Sequence, residues 1–195
     1  LRPLNRTHVN TEIIYPADSV GGSIPAPASK SYAQRAIALA ALAGGQSILT
    51  HLTHCNDIDA ALAAVSRLGA KIVPQENGTV AIGGSVLNGD GACELNIGES
   101  GLSTRLFAPV ASLFEAETVI TGHGSILTRP IGAMEQPLRD LGVTVASNGG
   151  FLPLRLEGKM RGGEITLDGS LGSQFLTGLL IALPMIGSDT ILNVT

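Results

Sequence analysis

Two hydrophobic periods alternate along this chain. From Tyr32 to Ala43 the residues are mostly Ala, Leu and Ile with no β-branched run, which favours helix, and Gly44-Gly45 supplies the stop. Ile58, Ala61, Leu62, Val65 and Leu68 then fall three or four apart, the stripe of an amphipathic helix opened by a cap at Asn56-Asp57 and closed by Gly69. Short β-prone runs lie between and after these helices, at 47–52, 71–74 and 79–82, and the last two reverse through Asn77-Gly78, a strong hairpin signal. The same reading predicts helices over about 101–114 and 131–141, a strand at 117–121 and a hairpin turning at Asn148-Gly149-Gly150. A strand at 164–167, a helix over about 173–184 and a strand at 189–192 complete it.

The pattern repeats. Strand-like runs starting at Gln46, Glu117 and Asp189 recur at a spacing of about 71 residues, and Leu68-Gly69-Ala70 returns as Leu141-Gly142-Val143. This divides the chain into a leading segment or hinge strand at 1–26 and one globular half at 27–195, built of units at about 27–83, 93–157 and 163–195. The third unit breaks off before its second helix, so the natural chain is expected to continue. Equivalent first helices open on Ser29-Lys30-Ser31, Gly98-Glu99-Ser100-Gly101 and Gly172-Ser173-Gln174. Units packed about a pseudo-threefold axis would bring three positive helix ends to one place, a setting for anions.

Composition narrows the classes. Hydrophobic residues make up 44% and charged residues 14% of 195, which fits a greasy globular chain large enough for a sizeable core. No apolar run reaches membrane-span length; Ser173, Gln174 and Thr177 interrupt the best one. A net charge of −4 with scattered Lys and Arg argues against a nucleic-acid binder and for a small anionic ligand. Cys55 and Cys93 form no CxxC pair and fit a reducing compartment, so the expected location is cytoplasmic.

Candidate chemistry gathers at the helix openings. Pro25 and Pro27 keep the approach extended, Ser29 is placed to cap, and Lys30, Ser31 and Arg35 then crowd a first turn that already suits an anion. Arg129 precedes Pro130 at a favoured first-turn position, with Thr128 as the candidate cap, and its planar fork suits a phosphate. Each motif alone is also what a capped surface helix looks like. His51, His54 and Cys55 offer metal-ligand atoms but lack a third or fourth partner, so they read against a metal site.

In combination and in order, Pro27-Ala28-Ser29-Lys30-Ser31 with Arg35, the run from Gly98 to Arg105, Arg129-Pro130-Ile131-Gly132 and Gly172-Ser173-Gln174-Phe175 resemble the motifs of the enolpyruvyl transferases over nearly the whole chain. The resemblance implies one half of a two-domain α/β protein, an inside-out α/β barrel of βαβαββ units with helices toward the middle. It implies transfer of the enolpyruvyl group of phosphoenolpyruvate to the 5-hydroxyl of shikimate 3-phosphate, with release of phosphate and no metal or other cofactor. It further implies that Lys30 contacts phosphoenolpyruvate and the attacking hydroxyl, that Ser31 and Arg35 hold the shikimate carboxylate, and that Ser173 holds the 3-phosphate. Gln174 would lie across the ring and reach the second substrate, while Gly101 and Arg129 would hold the phosphoenolpyruvate phosphate.

The acid–base carboxylates of the family belong to the other half, so these residues alone are expected to bind shikimate 3-phosphate weakly and to turn nothing over. The expected partners are the two small molecules, with no nucleic acid or membrane, and the expected state is a monomer. Ala28, Leu102 and Gly172 depart from the family pattern, and Glu99 is the most awkward departure, because a carboxylate there repels phosphate unless a cation pairs with it. Two alternatives compete. A UDP-N-acetylglucosamine enolpyruvyl transferase would show Asn after the lysine and a Cys before Arg-Pro, where this chain has Ser31 and a Cys-free 122–128; the other is a non-catalytic anion-binding scaffold.

Overall fold

A computed structural model describes residues 12–84 and 91–195. Of the leading segment, 1–11 fall outside the described residues, and 12–29 reach the first helix exposed and without helix or strand.

Helix α1 (Lys30–Leu42) starts where Ser29, in extended backbone, accepts a hydrogen bond from the Tyr32 N–H at 3.4 Å. It ends before Gly45, whose φ of 109° suits only glycine well. Strand β1 (Gly45–Leu49), helix α2 (Asn56–Arg67), β2 (Lys71–Pro74) and β3 (Val80–Gly84) complete the first unit. The Asn77-Gly78 turn forms as expected, with φ of 56° and 67°. The predicted cap of α2 is corrected: Cys55 occupies the cap position without a side-chain bond, and Asp57 lies inside the first turn, where its carboxylate is free to face another element.

The second unit contains β4 (Cys93–Asn96), α3 (Gly101–Ala111), β5 (Thr118–Thr121), α4 (Glu135–Asp140), β6 (Thr144–Asn148) and β7 (Phe151–Glu157). The helix predicted at 131–141 is shorter, because tight 3-10 turns occupy Gly124–Thr128 and Gly132–Met134 ahead of α4. Thr128 is therefore no helix cap; it closes the first of these turns by donating its hydroxyl to the Ser125 carbonyl. The third unit shows β8 (Glu164–Leu167), α5 (Gln174–Ala182) and β9 (Ile191–Val194).

Each unit contributes a separate sheet. The strand orders are β1-β3-β2, β4-β5-β7-β6 and β8-β9. The β4–β5 and β8–β9 pairs are parallel, and the remaining pairs are antiparallel. Along β7, Leu152, Leu154 and Leu156 are buried while Pro153, Arg155 and Glu157 face water, the two-residue period of a sheet covered on one side. Helix α3 is buried almost all round, including Leu102, Leu106 and Phe107. Helices thus fill the middle and sheets form the outside, the inside-out α/β arrangement expected from the sequence.

Helix α3 packs between α1 and α5. Pro109 has no N–H to offer the Arg105 carbonyl, and Gly178 of α5 packs against that carbonyl so closely that a Cβ would stand 2.6 Å from it. On the other side Gln34, fully buried, donates from its amide to Ser100 and Ser103 at 2.7 and 2.8 Å. These contacts set the openings of α1, α3 and α5 at one end of the helical layer. Among the described residues no helix is long and apolar enough to cross a membrane.

Candidate functional site

Lys30 is the first residue of α1, and its ammonium lies 2.7 Å from the Asp57 carboxylate at the start of α2. The hydrogen bond to Asp57, and then the Asp57 charge, hold Lys30 above its ordinary value, against smaller opposing effects that include the charge of Arg129.

The opening of α3 lies beside Arg129. Ser100 caps it, accepting the Ser103 N–H at 3.2 Å, and the Asn96 side chain accepts the Gly98 N–H at 2.9 Å, so the loop before the helix is closed on itself. A Cβ on Gly101 would stand 3.2 Å from Nη1 of Arg129 and 3.4 Å from Nη1 of Arg105, so two guanidiniums flank the first helical residue. Arg105 donates to the carbonyls of Gly101 at 3.1 Å and Pro130 at 2.9 Å, tying α3 to the Arg129-Pro130 segment. Burial, and secondarily the Arg129 charge, pull the Arg105 guanidinium below its ordinary value. Among the described residues neither guanidinium is paired with a carboxylate. Two adjacent unpaired cations, a third at Lys30 and the positive end of α3 repel one another, and an anion seated among them relieves that repulsion.

Glu99 does not neutralise the arginines. Its carboxylate accepts the Ser125 N–H at 2.6 Å, and the backbone and side-chain hydrogen bonds of Ser125 hold it below its ordinary value, with lesser help from the charges of His123 and Arg129.

The other expected site residues are more dispersed. Arg35 curls back to donate to the Ser31 carbonyl at 2.9 Å, and Ser31 is exposed. Ser173 precedes α5 with its hydroxyl uncommitted to a capping bond, and it lines a cavity of about 620 Å³ shared with Arg105, Pro130, Ile131, Phe175 and Leu176. Gln174 is exposed at the first position of α5. Among the described residues no hydrogen bond joins Ser31 or Arg35 to Ser173 or Gln174. The structure brings Gly101 and Arg129 together, with Arg105 beside them and sharing a cavity with Ser173, while Ser31 and Gln174 are exposed and Arg35 folds back onto α1. His54, weighed as a metal ligand, lies 3.0 Å from the Asp59 carboxylate.

Four contributors escaped the sequence reading. Asp57 was expected to cap, Arg105 closed a motif without a role, and Gln34 and Ser125 had none. Gln34 left a trace, a polar residue on the inner face of an Ala-rich helix, and Arg105 another, four positions after Gly101 and so on its face. Nothing local marks Asp57 or Ser125, because their partners come from other elements.

The family model for EPSP synthase (3-phosphoshikimate 1-carboxyvinyltransferase) matches residues 14–194. The 3-phosphoshikimate 1-carboxyvinyltransferases of Salmonella paratyphi B and Salmonella arizonae are each 38% identical over 186 residues, which is 93% of this chain and 44% of theirs. The chain thus spans less than half the length of these curated relatives. The EPSP synthase of Acinetobacter baumannii superposes with a TM-score of 0.71 at 28% identity, over 83% of this chain and 37% of that one. The enolpyruvyl transferase NikO from Streptomyces tendae superposes with a TM-score of 0.60 at 19% identity, over 84% of this chain and 38% of that one, a likeness of fold. The motifs read from the sequence, the inside-out arrangement of helices and sheets, and a family match running through almost every described element agree: the chain belongs to the EPSP synthase family.

Proposed function

We propose that this chain is part of an enzyme that transfers the enolpyruvyl group of phosphoenolpyruvate to the 5-hydroxyl of shikimate 3-phosphate and releases phosphate. The observation that carries the reading is the convergence of Arg105 and Arg129 on the opening of α3 at Gly101. A phosphate group there meets two planar forks and unpaired backbone N–H groups, which suits a dianion better than any neutral ligand.

Lys30 is the group for the reacting end of phosphoenolpyruvate and the attacking hydroxyl, and Gly101 and Arg129 hold the phosphoenolpyruvate phosphate that departs. Ser173 receives the 3-phosphate at the opening of α5, Gln174 spans the shikimate ring, and Ser31 and Arg35 take the carboxylate. The 5-oxygen bonds to C2 of phosphoenolpyruvate, the bond from C2 to the phosphate oxygen breaks to expel phosphate, and the proton of the attacking hydroxyl leaves through the acid–base groups of the other half. Fixed cations lower the cost of bringing two anions together and stabilise the charge that shifts onto the departing phosphate. Residues 27–195 form one globular half, with 1–26 as the segment leading into it, and the protein works as a cytoplasmic monomer. The acid–base carboxylates lie in the other half, so these 195 residues bind ligand without turnover.

Titration calorimetry with shikimate 3-phosphate, inorganic phosphate and UDP-N-acetylglucosamine tests the reading. Shikimate 3-phosphate is expected to bind more tightly than phosphate, and UDP-N-acetylglucosamine not at all. Preference for the UDP sugar, or equal affinity for shikimate 3-phosphate and plain phosphate, overturns it.

A further inference from the structure

A carboxylate two residues before Gly101 ought to weaken an anion site, yet Glu99 is built into the local structure. Two loops lie against each other here, 98–101 before α3 and 122–129 after β5. The His123 N–H donates to the Gly98 carbonyl at 3.1 Å and the Ser125 N–H donates to the Glu99 carboxylate at 2.6 Å. Glycines make this approach possible. A Cβ on Gly122 would stand 2.6 Å from the Gly98 carbonyl oxygen, and one on Gly124, which has a φ of 64°, would overlap the Glu99 carboxylate itself. The chain of contacts continues to the arginine, since Arg129 donates to the Ser125 hydroxyl at 3.3 Å. Ser125 thus holds Glu99 first through its backbone N–H and then through its hydroxyl, the same hydroxyl that accepts from Arg129, and no carboxylate oxygen is paired with the guanidinium.

We infer that Glu99 is a positioning residue: it straps the 122–129 loop onto the opening of α3 and, through Ser125, aims Arg129 at the space beside Gly101. The inference rests on the anion-site reading above. It makes a prediction opposite in sign to simple electrostatics. A negative charge near the site, acting only through its field, lowers phosphate affinity, and its removal raises affinity. A strap acts the other way, because its loss frees the arginine to wander.

The 195-residue chain is titrated with inorganic phosphate and with phosphoenolpyruvate, with Arg129→Ala as the benchmark for loss of the arginine. Glu99→Ala is expected to lower affinity about three- to tenfold, the loss of one charge-assisted hydrogen bond. Glu99→Gln keeps an acceptor for the Ser125 N–H and is expected to stay within about twofold of the original. Phosphate binding that is unchanged or tighter in Glu99→Ala overturns the inference. A ligand-free measurement separates it from the functional reading. In nitrogen-resolved NMR, Glu99→Ala is expected to shift the Ser125 amide proton upfield and move the Arg129 Nε–Hε signal toward those of exposed arginines, and Glu99→Gln to restore the Arg129 signal. An Arg129 signal indifferent to Glu99→Ala overturns the inference. Phosphate affinity indifferent to Arg129→Ala overturns the anion-site reading instead, and the NMR signals then decide the role of Glu99.

Discussion

Lys30 reaches out of α1 to place its ammonium 2.7 Å from the carboxylate of Asp57 in α2, so this cation, unlike Arg105 and Arg129, is already engaged by an anion of the protein. Asp57 grips the charged head of Lys30 directly and competes with any ligand for it, whereas Glu99 grips a loop backbone. Asp57→Asn is therefore expected to raise affinity for inorganic phosphate, where Glu99→Ala lowers it, and paired calorimetric titrations check the contrast. The same substitution removes the leading cause of the raised Lys30 value, so an NMR titration of Lys30 should show its midpoint fall. Linkage gives the sign for stability. A lysine raised on folding contributes below its unfolded value, near 10.5, and loses that contribution as pH climbs through the raised one. Because Lys30 is more than half exposed, the pair contributes about 0.5 kcal/mol or less, and Asp57→Asn should barely move the denaturation midpoint at neutral pH.

Gln34 joins the openings of α1 and α3 from inside the core. It is fully buried, as are Ser100 and Ser103, whose hydroxyls accept both amide hydrogens. Gln34→Ala leaves two buried hydroxyls without that donor and opens a void, at an expected cost of about 2–4 kcal/mol. Ser103→Ala removes one partner and costs less. A double-mutant cycle by urea denaturation should find the pair coupled by about 1 kcal/mol, and strict additivity would mean that the amide does not connect the helices.

Much of this fold is legible in the sequence because its signals are local. The Ser29 cap, the Gly44-Gly45 stop, the turns at Asn77-Gly78 and Asn148-Gly149-Gly150 and the period of about 71 residues need only near neighbours to be read. The expectation of helix from 131 onward fails for a long-range reason. The Ile131 N–H donates to the Gly150 carbonyl at 2.7 Å, and Gly132 packs against Gly150, which holds this stretch out of α-helix until Glu135. Site residues divide in the same way. Lys30 and Arg129 stand out because motifs mark them, while Asp57 and Ser125 act through partners on other elements, where no spacing along the chain reveals them.

Gly178 shows how propensity yields to packing. Alanine in the middle of α5 would favour the helix by about 1 kcal/mol on propensity alone. Its Cβ would meet the Arg105 carbonyl at 2.6 Å and the Leu106 backbone at 3.1 Å, and backbone cannot turn aside as a side chain can. Gly178→Ala is thus expected to destabilise by about 1–3 kcal/mol in thermal or urea denaturation. Forcing α5 away from α3 also widens the cavity between Arg105 and Ser173, so shikimate 3-phosphate affinity should fall alongside stability.

Glu135 contributes to the response to acid. Its carboxylate accepts the Ser147 hydroxyl and an Arg139 N–H, both at 2.6 Å; Ser147 in turn accepts the Gly150 N–H at 2.8 Å, and Gly150 holds Ile131, two residues beyond Arg129. One carboxylate thus ties α4 to the β6–β7 turn and so to the arginine loop. The Ser147 bond first, and after it the bond and charge of Arg139, hold Glu135 below its ordinary value of 4.5. A carboxylate depressed on folding contributes fully above its unfolded value and loses that contribution as pH falls through the depressed one. Stability should therefore decline below about pH 4.5, in part because Glu135 must take up a proton there. Glu135→Gln should cost about 1–2 kcal/mol at neutral pH through loss of charge-assisted bonds, and should flatten that acid limb. Urea midpoints measured from neutral pH down through this range for both proteins check it, and parallel curves would assign the acid sensitivity to other carboxylates.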